Sequence, residues 1–284
     1  MTDAESKHVA NLVGYGELLD KGRMANVMFE MAGTVGLARR HDTNPVFGPA
    51  DLVYRPIWST PDEWWPDPYP ADAVPAPRLA SHLSPFARWY LQDLSLFVGV
   101  ADEVRSVFRL APAATAEVGR VFNAAGFDRA ESLCVVHVRR GDTATRNPPE
   151  TINPLPVGYY VDAVEATGRG SVAVFSDDPD WCRSELPDSW RVMDGVPGPE
   201  DNEPDFKTRP RADWVDMYLM ARLVGDGAAL VMSNSVFAWW AAWLNDVGDD
   251  RVVVPSKWYG RRLLAKGCDA ERILLPGWRR VSPR

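Results

Sequence analysis

Four short apolar runs constrain the second half of the chain: Ser132 to Val138, Ser171 to Phe175, Ala228 to Met232 and Arg251 to Val254. Each is strand length, and helical patterns lie among them. Trp214, Met217, Tyr218, Ala221 and Val224 recur at helical spacing, and Val236 to Leu244 is an apolar helix. Short apolar strands alternating with helices imply parallel β/α layering. The first half opens the same way. Asn11 to Leu19 reads as a strand and turn, followed by a helix over Gly22 to His41 with Met24, Met28, Met31, Val35 and Ala38 on one face. Further helical stretches follow at Phe86 to Phe108 and Thr115 to Ala125.

A chain of 284 residues suits two domains of about 130–150 residues each. Between Pro45 and Pro85 regular patterning breaks down around Glu63-Trp64-Trp65-Pro66-Asp67-Pro68-Tyr69-Pro70. Trp58, Trp64, Trp65 and Tyr69 of this loop, which runs over residues 58–77, either stack on sugar rings or pin the loop to the body.

The net charge is −8, which disfavours broad nucleic-acid binding. It is unevenly spread: residues 251–284 carry a local +7 on an acidic body, so the tail is either an anion site or a solvated face. Cys134, Cys182 and Cys268 are odd in number and form no C-x-x-C pair, which argues against a disulfide framework or zinc knuckle. The polar N-terminal residues carry no signal-peptide pattern, and no apolar run reaches the ~20 residues of a membrane span. The expectation is a reduced, cytoplasmic protein.

Ligands of a parallel α/β sheet bind at the carboxyl ends of its strands. Three such ends here carry unusual residues. The first is His137-Val138-Arg139-Arg140-Gly141-Asp142, where alternation sends the two arginines to opposite faces. One arginine can fork onto a diphosphate and the other pair with Asp142, although a structural ion pair explains both equally. The second end is Ser176-Asp177-Asp178-Pro179-Asp180, whose carboxylates suit a guanine edge, a ribose hydroxyl pair or the turn itself. The third is Ser233-Asn234-Ser235-Val236-Phe237, where capping residues hand a strand over to a helix. A helix start of this kind accepts phosphate, and it also simply needs a cap.

Together these segments resemble the ordered motifs of the α-1,2-fucosyltransferase family. The resemblance is carried by His137 to Asp142, by Phe175 to Asp178 with Trp181-Cys182, and by Ser233-Asn234-Ser235-Val236-Phe237-Ala238-Trp239-Trp240. Gly22 to Glu30, Val254 to Tyr259 and Gly277-Trp278 extend it over nearly the whole chain. Arg23, Ala25, Val27, Val236 and Ala238 depart from the family pattern.

The resemblance implies a GT-B-like α/β fold, two Rossmann-like parallel β/α domains facing across a cleft. Residues 1–125 would form the acceptor side and residues 126–284 the GDP-sugar side. It further implies inverting transfer of L-fucose from GDP-fucose to a galactose-type hydroxyl in α-1,2 linkage, without an essential metal or other cofactor. By the same carry-over Arg139 contacts the β-phosphate. Asp142 is the second catalytic candidate; Glu30, Asp142 and the acids of the loop are the conceivable general bases, and none stands out from the sequence. His137 with Asp177 or Asp178 reads guanine, and Ser235, Val236 and Phe237 hold the diphosphate at the helix start; Ser233, Asn234 and Asn26, the last in the N-terminal motif, complete the expected donor-binding residues. Transfer of a different nucleotide sugar, a metal-dependent transferase using Asp178-Pro179-Asp180, and a non-catalytic carbohydrate-binding protein stay open as alternatives. The partners expected are GDP-fucose and a glycan acceptor, with no nucleic acid and no transmembrane anchor.

Overall fold

The structure is a computed structural model that describes residues 12–18, 23–127, 129–141, 144, 150–195, 213–247 and 249–283. The polar N-terminal stretch and Asp142 lie outside the described residues. The chain divides into two compact units, one through Arg109 and one from Leu110 onward. Each is an α/β unit built on a parallel sheet.

In the N-terminal unit β1 (Leu12–Tyr15) lies between β2 (Asn44–Phe47) and β3 (Val74–Pro75), parallel to both. Both outer strands fall inside the stretch whose pattern reads as broken. Their prolines, Pro45 and Pro75, explain the missed strands: an edge strand tolerates a residue that donates no N–H. Helix α1 (Met24–Arg40) is buried over most of its length, Glu30 and Thr34 included. Two of its glycines admit the following chain at close range. A Cβ on Gly36 would fall 2.0 Å from the Leu96 carbonyl oxygen, and one on Gly33 would fall 2.6 Å from Leu91 Cβ.

The expected helical stretch from Phe86 to Phe108 is broken into α2 (Pro85–Tyr90) and α3 (Ala101–Val107). Leu91 ends the first in the left-handed region at φ 51°, and Asp93 then caps a single turn by accepting the Ser95 N–H at 2.8 Å. The tryptophans of the 58–77 loop pin it. Trp64 and Trp65 pack on Phe47 with ring centroids at 6.0 and 5.3 Å, and Trp58 packs edge-on against Phe108 at 5.2 Å. All three are buried, so none offers a ring face to a sugar.

The C-terminal unit holds a six-stranded parallel sheet in the order β6-β5-β4-β7-β8-β9. Its strands are β4 (Leu133–Val138), β5 (Ser171–Ser176), β6 (Arg191–Val192), β7 (Ala229–Val231), β8 (Val252–Pro255) and β9 (Arg279–Val281). The four strands read from sequence are β4, β5, β7 and β8, and β4, β7 and β8 are buried throughout. Helix α4 (Pro112–Ala125) belongs to this unit, where it packs on the helix Asp213–Gly225. Helix α5 (Val157–Thr167) covers the sheet, and its Tyr159 donates to the Met232 carbonyl at 2.6 Å. The three cysteines are buried and free, and burial pushes the Cys134 thiol up to about 12.

Among the described residues no helix is long and apolar enough to cross a membrane. Arginines of the basic tail pair locally: Arg251 with Asp249, Arg261 with Glu150, Arg279 with Asp250 and Arg280 with Glu271. That pairing disperses the local positive charge over the unit's own carboxylates.

Candidate functional site

The chain runs from β4 outward through β5 to β6, then crosses back to place β7 on the other side of β4. The order of strands therefore reverses between β4 and β7. Such a switch point splays the two connections apart and leaves a crevice at the carboxyl ends of the strands. The segments leaving β4 and β7 are those singled out from sequence, Arg139 onward and Ser233 to Phe237.

Register brings the charged residues together. His137 stands opposite Phe175 and Val138 opposite Ser176. One step further sets Arg139 against Asp177. The Arg139 guanidinium is hydrogen-bonded to Asp177 Oδ2, and Asp177 Oδ1 accepts the Arg140 main-chain N–H at 2.8 Å. Arg140 turns the other way, as alternation requires. Its Nε lies 3.3 Å from Asp178 Oδ2, and its guanidinium sits 3.9 Å above the Trp181 ring. Asp178 also caps α6 (Pro179–Glu185), its Oδ1 accepting the Trp181 N–H at 3.2 Å. The last acid of Asp178-Pro179-Asp180 pairs with Arg183 at 3.0 Å. Gly141 has room for no side chain, since a Cβ there would stand 2.5 Å from Asp177 Oδ2.

On the β7 side Ser233 is completely buried and closes onto β4 twice. Its N–H donates to the His137 carbonyl at 3.0 Å, and its hydroxyl lies 2.8 Å from His137 Nδ1. The imidazole stacks on Phe237 with centroids 5.4 Å apart at 30°. Burial pushes this histidine down to about 4, against a smaller opposing pull from Asp177, so the ring is neutral at physiological pH.

Asn234 faces inward, its Nδ2 donating to the carbonyls of Asn153 and Trp258 at 3.0 and 3.2 Å. Through this amide it ties three segments together. Ser235 caps α8 (Val236–Trp243) by accepting the Phe237 N–H at 3.3 Å. Ser235, Val236 and Phe237 stay partly exposed, at a helix start whose amides lack partners within the helix.

The tryptophans that follow fix this helix start. Trp239, Trp240 and Trp243 pack on one another at 4.9 to 5.6 Å, and Trp239 donates to the Ile273 carbonyl at 2.7 Å. Each such burial contributes on the order of 2–3 kcal/mol. Their place in the motif is thus structural, holding the amide-bearing end still.

Asn26 lies in the N-terminal unit, where its Oδ1 accepts from Gln92 Nε2 at 2.9 Å. Glu30 lies in the same unit, only 2% exposed, with Oε1 3.3 Å from the Tyr15 hydroxyl.

One acidic pair escapes a reading that follows only the apolar stripe of its helix. Asp213 and Asp216 share the first turn of α7 (Asp213–Gly225), which leads into β7 and so begins on the carboxyl side of the sheet. Burial, with Asp213 adding to it, raises the Asp216 carboxyl to about 7. Two aspartates three apart at a helix start are the signal that was available in the sequence.

An arginine aimed by a carboxylate, beside a capped helix start at a strand-order reversal, is an anion-binding arrangement of an α/β protein. The comparisons narrow this class. The family model for glycosyl transferase family 11 matches residues 76–282, and the chain belongs to that family. It is 26% identical over 152 residues to the O-antigen biosynthesis glycosyltransferase WbnK of Escherichia coli, a match covering 50% of this chain. It is 30% identical over 134 residues to an alpha-1,2-colitosyltransferase of Escherichia coli, covering 45% of this chain. The chain spans only 42% of the length of each of these relatives. Among solved structures it is similar to the NodZ alpha-1,6-fucosyltransferase soaked with GDP-fucose, at 14% identity and a TM-score of 0.45, over 82% of this chain and 92% of that one.

Proposed function

We propose that this family 11 glycosyltransferase moves L-fucose from GDP-fucose to a hydroxyl of a galactose-type acceptor, in α-1,2 linkage and with inversion. The observation that carries the reading is the Arg139–Asp177 pair at the switch point, its arginine leaving the strand next to the one that leads into the helix start at Ser235. The acceptor hydroxyl attacks the anomeric carbon, the bond to the β-phosphate oxygen breaks, and GDP leaves with the bonding electrons. Negative charge grows on the diphosphate, where the Arg139 fork and the α8 amides stabilise it more strongly in the transition state than before it.

The stacked, neutral His137 stands beside that site and serves the guanine side, with Phe237 behind it. The C-terminal unit is then the donor side and the N-terminal unit the acceptor side. Asp178 and Asp180 are engaged by Arg140, Trp181 N–H and Arg183, which favours a reaction independent of a metal held by those acids. The setting proposed is the cytoplasm, where GDP-sugars are made.

The name of the colitosyltransferase relative supports a second reading, transfer of another deoxyhexose by the same machinery. One set of measurements tests both. Calorimetry with GDP and UDP, with and without EDTA, is followed by transfer assays using GDP-fucose and other nucleotide sugars. The first reading requires GDP to bind in EDTA, the Arg139→Ala variant to lose that binding, and GDP-fucose to be the best donor. Preference for another GDP-deoxyhexose selects the second, and binding of UDP alone overturns both.

A further inference from the structure

Tyr69 lies across the carboxyl ends of β1 and β2, on a bed of three glycines. A Cβ at Gly14 would fall 1.9 Å from the Tyr69 hydroxyl oxygen, one at Gly16 3.2 Å from Cε1, and one at Gly48 3.1 Å from Cδ2. The ring therefore occupies the space that side chains at these three positions would take. The bed is itself closely packed, since the Cβ at Gly48 would also stand 2.9 Å from the Gly16 carbonyl oxygen. No residue larger than glycine fits beneath the ring without moving it.

Three further observations set this tyrosine apart from the rest of its loop. Trp58, Trp64 and Trp65 are buried, whereas Tyr69 stays partly exposed. It stands between Pro68 and Pro70, whose fixed φ angles leave the chain little freedom to lose when something binds. Among the described residues no group hydrogen-bonds its hydroxyl. The result is a partly exposed aromatic ring held in place on its glycine bed, hydroxyl end against Gly14, at the end of a parallel sheet where ligands bind.

A ring so placed suits a pyranose. The face of the aromatic carries negative quadrupole charge, and the less polar face of a galactose-type sugar presents C–H groups to it. We infer that Tyr69 is the stacking residue for the acceptor sugar, a specificity determinant of the N-terminal unit. The inference rests on the transferase reading above, and it gives that reading an acceptor contact.

The test uses the full chain with methyl β-D-galactopyranoside as the acceptor probe. Three quantities are read: acceptor KM in transfer from GDP-fucose, saturation transfer by NMR from protein to probe without donor, and GDP affinity by calorimetry. Tyr69→Ala is expected to raise acceptor KM about five- to tenfold and to abolish saturation transfer, while GDP affinity stays within about twofold. Tyr69→Phe keeps the ring and is expected to stay within about threefold of wild type. Tyr69→Leu fills the bed without a ring and carries the same expectation as alanine should that variant unfold. Unchanged acceptor KM in the ringless variants overturns the inference. So does faster transfer, which would make the ring a plug, or a loss confined to GDP affinity. Failure of the wild type to bind GDP or transfer fucose overturns the donor assignment instead, and the NMR measurement still reads Tyr69 by itself.

Discussion

Asp177 holds Arg139 by its side chain and the next residue by its backbone: Oδ2 bonds the Arg139 guanidinium while Oδ1 accepts the Arg140 N–H at 2.8 Å. One carboxylate thus fixes both the direction of the arginine and the turn that carries it. A lysine at position 139 would supply charge without the planar fork that meets Asp177 and a phosphate together. Arg139→Lys is expected to cost about 3–4 kcal/mol of transition-state stabilisation, a fall of roughly 10²- to 10³-fold in kcat. The pair is partly exposed, so Asp177→Asn should cost at most ~1 kcal/mol in folding stability while still lowering kcat. Steady-state kinetics with urea unfolding separates the two effects. Transfer by Arg139→Lys within tenfold of wild type would remove the arginine from the mechanism.

Gly141 is required by contact. The Cβ of Gly141→Ala would overlap Asp177 Oδ2 at 2.5 Å, and that oxygen is already committed to Arg139. Either the turn moves or the pair opens. The expected cost is about 1–3 kcal/mol, in the range of overpacking, with a larger fractional loss of activity than of stability. A lower Tm with unaltered kcat would show that the turn relaxes without disturbing Arg139.

Asn234 tests whether the serine-asparagine-serine segment is a ligand shell or a scaffold. Its Nδ2 serves the carbonyls of Asn153 and Trp258, so Asn234→Ala leaves two acceptors without that donor. About 1–3 kcal/mol of stability should be lost for each that finds no water. GDP affinity measured well below the lowered Tm should stay near wild type. A large loss of affinity in a fully folded variant would return Asn234 to the binding surface.

The strands of the C-terminal unit were legible because each is a short apolar run of strand length, and β4, β5, β7 and β8 fall where those runs are. The site was legible as segments but not as pairings. That Arg139 meets Asp177 follows from register, and register depends on which strands become neighbours. The edge strands β2 and β3 hid behind Pro45 and Pro75, which argue against a strand unless the strand is known to lie at an edge. The four loop aromatics looked alike in sequence. Only packing against Phe47 and Phe108 separates the three tryptophans from Tyr69. Asp216 was masked by its own helix, where the apolar stripe supplied the stronger pattern.

Asp216 and His137 should act on stability in opposite directions as pH changes. The Asp216 carboxyl is raised from an ordinary 3.8 to about 7, so between these values the folded state holds a proton that the unfolded chain releases. Raising pH through this window therefore favours unfolding. His137 is lowered from 6.5 to about 4, so in that window the unfolded chain holds the extra proton, and raising pH favours folding. The two slopes, each at most ~1.4 kcal/mol per pH unit, oppose one another from about pH 4 to 6.5. Above that Asp216 acts alone up to about pH 7. Asp216→Asn removes one side of the balance. Its stability relative to wild type should increase steadily from pH 4 to 7 and level off beyond. Urea midpoints across this range give the difference directly, since the titrating groups other than Asp216 and its neighbour Asp213 cancel between the two proteins. A difference that does not vary with pH would mean that Asp216 is ionised throughout, and that the first turn of α7 is open to water.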